Sequence, residues 1–152
     1  MPTKILVPYD GSSTSDRALA WAASEQARRT VELRVIQVFD PYPLVTAVLS
    51  VPSPASEEVL EGARAELRAH VAGFSKSASV EVVLAEKPGP AIVDEAQRWG
   101  AELIAMGTHG RSGVAHLVLG SVAEYVMRHA PCPLLTVREP GEKKTLEAPG
   151  LI

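Results

Sequence analysis

Residues 107 to 121 read GTHGRSGVAHLVLGS, with glycines at 107, 110 and 120 and a serine at 121. Residues of these types at these offsets could hold an anion. Gly107 ends the apolar run AELIAMG, where a missing side chain lets a ligand approach the backbone. Gly110 tolerates a positive φ, which turns consecutive amides toward one point. Gly120 and Ser121 precede the helical run SVAEYVMRHA, and the free amides and positive dipole end of a helix start favour a phosphate. The same residues also fit a structural role: SVAE is a capping box, in which Ser121 would cover the amide of Glu124, and glycines at strand ends are ordinary turn residues. Other phosphate and nucleophile motifs are missing from the sequence. It has no GxxxxGK followed by Ser or Thr and no GxGxxG after a strand, and GRSG is one residue short of GxSxG.

The elements around this stretch alternate. KILVPY predicts a first strand, and SDRALAWAASEQARR a helix with apolar positions 18, 19, 22, 23 and 27 on one face, capped by Ser13 or Ser15. VELRVIQVF predicts a second strand. Four prolines in DPYPLVTAVLSVPSP forbid a central strand or a helix interior and predict a long loop. A second helix is expected with Ser53 as cap and Pro54 as first residue, carrying Val59, Ala63, Leu67, Val71 and Phe74 as its apolar stripe and fraying at Gly73. SVEVVLAEK predicts a third strand and AIVDEAQRW a short helix stopped by Gly100. AELIAMG reads as a parallel strand covered on both faces, SVAEYVMRHA as the last helix and PLLTVR as the last strand. Five alternations specify an α/β sandwich with a mainly parallel sheet. In such sheets ligands sit beyond the carboxyl ends of the strands, where strand order reverses. VPYDGS and MGTHG, which follow the first and fourth strands, therefore share one rim.

Composition narrows the function classes. The chain has 152 residues, 46% hydrophobic and 22% charged, which fits one globular domain with a real core. A net charge of −3 with no basic stripe argues against a nucleic-acid partner. No apolar run reaches the 18 or so residues of a membrane span, and the N-terminal ILV is too short for a signal-peptide core, so a cytoplasmic location is expected. Cys132 cannot form an internal disulfide and is expected as a small core residue.

The block GTHGRSGVAHLVLGSVAEYVMRHAPCPLLTVR resembles the signature G-x2-G-x9-G followed by Ser or Thr of the universal stress protein family, in its ATP-binding branch. KILVPYDGS and GPAIVDEA are also typical of that family, and the resemblance extends to about Glu139. It implies one domain over residues 1–139, and the tail over 140–152, which lacks periodicity, is expected to be partly disordered. The implied fold is a three-layer, Rossmann-like sandwich of the adenine nucleotide alpha hydrolase-like kind, with five strands in the order 3-2-1-4-5 and ATP across the gap between strands one and four. Carried over by residue, Pro8, Tyr9 and Asp10 border the adenosine and Val38 lines the adenine pocket. Met106, Gly107, Thr108, His109, Gly110, Arg111 and Ser112 wrap the ribose and phosphates, and Gly120, Ser121 and Val122 hold the phosphate end. Ala123 departs from the pattern, since some members place a second hydroxyl there.

For single residues two roles stand side by side. Asp10 either caps the turn before the first helix or accepts from a ribose hydroxyl or holds a magnesium-bound water. Arg111 either meets a terminal phosphate or is only solvated. His109 and His116 lack partners at zinc-ligand spacing, and no nucleophile can be assigned beside His109. The resemblance thus implies an ATP-binding regulatory module using Mg2+ held through the phosphates. An ATP-hydrolysing or nucleotidyl-transfer enzyme and a binder of cyclic AMP are the alternatives. It also implies a homodimer through the last strand, Leu134, Leu135, Thr136 and Val137, because an apolar edge without protective charge calls for a cover.

Overall fold

The structure is a computed structural model, and it describes residues 1–41, 54–108 and 119–140. Along the chain run β1 (Thr3–Pro8), α1 (Ser13–Arg28), β2 (Val31–Phe39), α2 (Pro54–Ala72), β3 (Ser79–Leu84), α3 (Pro88–Trp99), β4 (Leu103–Gly107), α4 (Ser121–His129) and β5 (Leu134–Val137). The five strands form one parallel sheet in the order β3-β2-β1-β4-β5. The order reverses after β3, so β1 and β4 meet at the switch between the two halves.

Alternation within the strands sets the three layers. Ile5 and Val7 of β1 point to one face, with Leu33, Val35 and Ala105, against Ala18, Leu19 and Ala22 of α1 and Leu67 and Val71 of α2. Leu6 points to the other face, with Ile36, Ile104 and Met106, against Ile92 and Ala96 of α3 and Ala123 and Val126 of α4. Because both faces are covered, β1 and β4 read as continuous apolar runs rather than alternating ones.

Several local expectations change. The cap of α1 is Ser12, not Ser13 or Ser15: Ser12 has the extended backbone of a cap and its side chain accepts from the Ser15 amide at 3.2 Å. Ala27 lies outside the buried face. The stripe on α2 is fully buried only toward the end of the helix, at Leu67 and Val71; Ala63 is partly buried, Val59 is exposed, and Phe74, also exposed, lies beyond the last helical residue. α3 begins at Pro88, three residues earlier than AIVDEAQRW suggested, because Pro88 and Pro90 fit a helix start that needs no amide donors. Gly100 ends it in the left-handed conformation at φ 73°, with its amide donating back to Ala96 and Gln97. Cys132 is half-buried, packed on the second core cluster, and burial pushes its thiol pKa up. Ser53, the segment 42–53 and the tail from 141 lie outside the described residues.

One charged cluster is built into the sheet end opposite the β1 and β4 loops. Glu95 of α3 is buried, and one of its oxygens accepts from Arg34 of β2 at 2.7 Å while the other meets Arg98. Arg98 is pushed above its ordinary pKa by the hydrogen bond to Glu95 and then by that group's charge. Trp99 carries Arg34 at 4.7 Å from its ring centroid and Lys4 at 5.4 Å, so the cations of β1 and β2 close over the end of α3.

Candidate functional site

The cavity comes from a divergence in the sheet. β1 and β4 are paired only at Ile5 with Leu103 and at Leu6 with Ile104. Beyond that point each strand follows its other neighbour, β1 to the pair Pro8 with Ile36 and β4 to the pair Gly107 with Val137. Pro8 is well placed for the split. Tyr9 donates its amide to Ile36 on the β2 side, so position 8 faces the β4 side, where an unpaired amide would stand in the gap; proline has none.

The gap opens into a cavity of about 360 Å³, within the range of ligand sites. Pro8, Tyr9 and Asp10 line it after β1, Val38 at the end of β2, Met106, Gly107 and Thr108 at the end of β4, and Gly120, Ser121 and Val122 at the start of α4. These are ten of the fourteen residues expected from the sequence. His109, Gly110, Arg111 and Ser112, together with His116, lie outside the described residues. Ser12, Ser15, Ile36, Pro88, Ile92 and Ala123 line the cavity as well and were not expected there. Ile36 could have been found, since it sits two residues before Val38 and shares its face of β2. Pro88 and Ile92 carry no local signal, because their approach depends on how α3 packs.

The start of α4 is held by the end of β4. The Thr108 amide donates to the Val137 carbonyl at 3.0 Å, and its carbonyl accepts from the Gly120 amide at 2.6 Å. The Thr108 hydroxyl, buried, donates to the same Val137 carbonyl at 3.3 Å. Gly120 thereby becomes the cap residue, with an extended backbone and no side chain to cover the first turn. The expected capping box is absent for that reason. Ser121 is already the first helical residue, out of reach of the cap position, and Glu124 pairs with Arg128 at 2.9 Å instead. Among the described residues no side chain caps the first turn of α4, and Ser121, Val122 and Ala123, whose amides have no partner within the helix, line the cavity.

The other two helix starts at the cavity differ. α1 is covered by Ser12, whose own amide donates to Asp10 Oδ1 at 2.9 Å, so Asp10 does cap the turn before the first helix. The Ser15 hydroxyl is engaged by the Ser12 carbonyl at 2.8 Å. α3 has Lys87 as cap residue without a side-chain bond, but prolines at 88 and 90 leave it few amides to offer. An anion in the cavity therefore meets its best donors at α4. Ile36, Val38, Ile92 and Met106 make part of the lining apolar, which suits a flat hydrophobic ring.

Gly107 has a structural task beside the one expected. A Cβ there would lie 2.7 Å from the Thr14 Cβ and 2.9 Å from the Thr14 carbonyl carbon. Its missing side chain makes room for the first turn of α1, while its backbone stays in the cavity lining. Among the described residues no group of three His, Cys, Asp or Glu side chains could hold a metal ion, and Asp10 is the one acidic residue in the described lining.

The comparisons with known proteins agree with this architecture. The family model for the universal stress protein family matches residues 1–138. A universal stress protein of Thermus aquaticus is 36% identical over 138 residues, 88% of this chain and 97% of its own length. One of Methanocaldococcus jannaschii is 33% identical over 140 residues, 90% of this chain and 82% of its own. Among solved structures, a universal stress protein in complex with cyclic AMP superposes with a TM-score of 0.64 at 23% identity, covering 90% of this chain and 97% of that one. The universal stress protein from Archaeoglobus fulgidus in complex with dAMP gives 0.59 at 20% identity, with the same coverage. At those identities the two structures speak for the fold. With its sheet order and nearly its whole described length accounted for in this way, the chain belongs to the universal stress protein family.

Proposed function

We propose that the cavity binds an adenine nucleotide, ATP with Mg2+ foremost, and that the chain serves as a nucleotide-responsive regulatory module in a stress response. The observation that carries this is the start of α4, where the cap residue Gly120 has no side chain and Ser121, Val122 and Ala123 line a cavity that Ile36, Val38, Ile92 and Met106 make partly apolar. That polarity suits a molecule with phosphate at one end and a flat base at the other. The base packs among Ile36, Val38, Ile92 and Met106, the nucleoside lies along Pro8, Tyr9 and Asp10, and His109, Gly110, Arg111 and Ser112 close over the phosphates. Mg2+ is held through those phosphates, since the described lining offers a single carboxylate. Ala123 removes one hydroxyl contact but leaves its amide in place.

Two proteins of this fold hold cyclic AMP and dAMP, which supports an adenine nucleotide and gives cyclic AMP standing as the second reading. Regulation is favoured over turnover because the described lining presents donors for phosphate but no activated nucleophile. The proposed assembly is a homodimer through β5, whose residues Leu134, Leu135, Thr136 and Val137 are half-buried and, among the described residues, pair only with β4. The proposed domain is 1–139, with the tail 140–152 outside it, and the proposed compartment is the cytoplasm. No helix among the described residues is long and apolar enough to cross a membrane.

Mass spectrometry of the supernatant from denatured, freshly purified protein tests the nucleotide. ATP at near-stoichiometric amount is the expected result. A protein that carries another class of molecule there would overturn the proposal, and cyclic AMP alone would transfer it to the second reading.

A further inference from the structure

α2 contributes no residue to the described lining of the cavity, yet it touches the wall. The ring of Tyr9, in that wall, lies against the imidazole of His70 near the end of α2, with centroids 5.0 Å apart and planes tilted by 35°. The His70 ring in turn meets Phe74 at 5.4 Å. His70 Nε2 is 2.6 Å from Oδ1 of Asp16, in the first turn of α1, so the imidazole is fixed by a hydrogen bond to one helix while it belongs to another. A second tie lies farther along, where the hydroxyl of Ser75, three residues past the end of α2, donates to Gln26 Oε1 of α1 at 2.5 Å. Of these two ties, only the one at His70 reaches the cavity wall.

We infer that His70 is a positioning residue for the nucleotide site: held by Asp16, it keeps the Tyr9 ring in the conformation that shapes the cavity. The inference rests on the nucleotide proposal above. A tyrosine ring at a wall has two side-chain torsions to settle, and ordering such a side chain on binding costs affinity. A ring already braced by a neighbour meets that cost before the ligand arrives. Asp16 and His70 are both about two-fifths exposed, at 38% and 39%, so the pair contributes little to global stability, and its consequence falls on Tyr9.

The experiment is a double-mutant cycle with ATP and Mg2+ as titrant. His70→Ala is expected to weaken binding roughly twofold to tenfold, the range for one side chain that must be ordered on binding. His70→Phe, which keeps a ring against Tyr9 but drops the bond to Asp16, should recover only part of that loss, the remainder being the share of the bond to Asp16. In a Tyr9→Ala background, His70→Ala should have no further effect. Wild-type affinity in a folded His70→Ala protein, or an equal loss with and without Tyr9, would overturn the inference. The aromatic NMR signals of Tyr9 in nucleotide-free protein give an independent readout. His70→Ala should remove a ring-current shift that His70→Phe retains, and unchanged Tyr9 signals in His70→Ala contradict the brace. If the wild-type protein binds neither ATP nor cyclic AMP, the nucleotide proposal fails by itself, and the NMR comparison still decides whether His70 braces Tyr9.

Discussion

Gly107→Ala separates two roles that the same glycine could have. If the residue served only to admit a ligand, an added methyl would leave the free protein as stable as before and lower affinity alone. The structure predicts the opposite order of effects. The new Cβ would stand 2.7 Å from the Thr14 Cβ and 2.9 Å from its carbonyl carbon, whereas ordinary contact begins near 3.4 Å. Two of the crowded atoms belong to the backbone or are attached to it, so no rotamer change of Thr14 relieves the clash, and the first turn of α1 must move. Forcing an extra carbon into such a contact costs about 1 to 3 kcal/mol. For a domain of this size that corresponds to a fall in Tm of roughly 2 to 12 °C. Urea unfolding of the nucleotide-free protein, with a thermal scan beside it, measures the effect. Thr14→Ala in the same chain should recover little, because the Cβ and the carbonyl carbon remain. An unchanged unfolding midpoint in Gly107→Ala, or full recovery by Thr14→Ala, would refute the reasoning.

Four further outcomes are expected. Gly110→Val should abolish ATP binding with the circular dichroism spectrum unchanged, as measured by titration calorimetry, because a β-branched residue resists the positive φ proposed there. Arg34→Met leaves the buried Glu95 with the exposed Arg98, and should lower unfolding free energy by about 2 to 3 kcal/mol in urea, at or below the low end for breaking a buried pair. Leu135→Pro removes an amide from the edge strand and should convert a dimer into a monomer in sedimentation at micromolar concentration; a wild-type protein that sediments as a monomer there contradicts the proposed assembly. ATP hydrolysis should be far slower than the roughly 10 per second of a median enzyme, which a phosphate-release assay reads directly.

What the sequence discloses here depends on how local the cause is. The alternation of strands and helices was legible because burial on two faces leaves runs such as ILV and LIAM, and one-sided burial leaves stripes such as Ala18, Leu19 and Ala22. Sheet order was not legible from periodicity. It came with the resemblance carried by the glycine signature, and the structure has that order. The run SSTS offers several hydroxyls for one cap, and only the turn made by Asp10 and the Ser12 amide selects Ser12. SVAE reads as a capping box, but the hydrogen bond from Gly120 to Thr108 sets the cap one residue earlier, a tertiary contact that no local pattern contains. The same holds for the site. Ten expected residues line the cavity because motif and rim coincide, whereas the role of Gly107 and the presence of Pro88 and Ile92 depend on where α1 and α3 pack.

The most direct test of the central claim is calorimetric titration of nucleotide-stripped wild-type protein with ATP and Mg2+, with Ser121→Pro as the matched variant. Proline is tolerated at a first helical position, but it deletes one of the first-turn amides of α4 that the proposal assigns to the phosphate. Saturable binding of one ATP per chain, weakened in Ser121→Pro for ATP and much less for adenosine, is the predicted result. No binding by the wild-type protein, or equal losses for ATP and adenosine, would contradict a phosphate site at the start of α4.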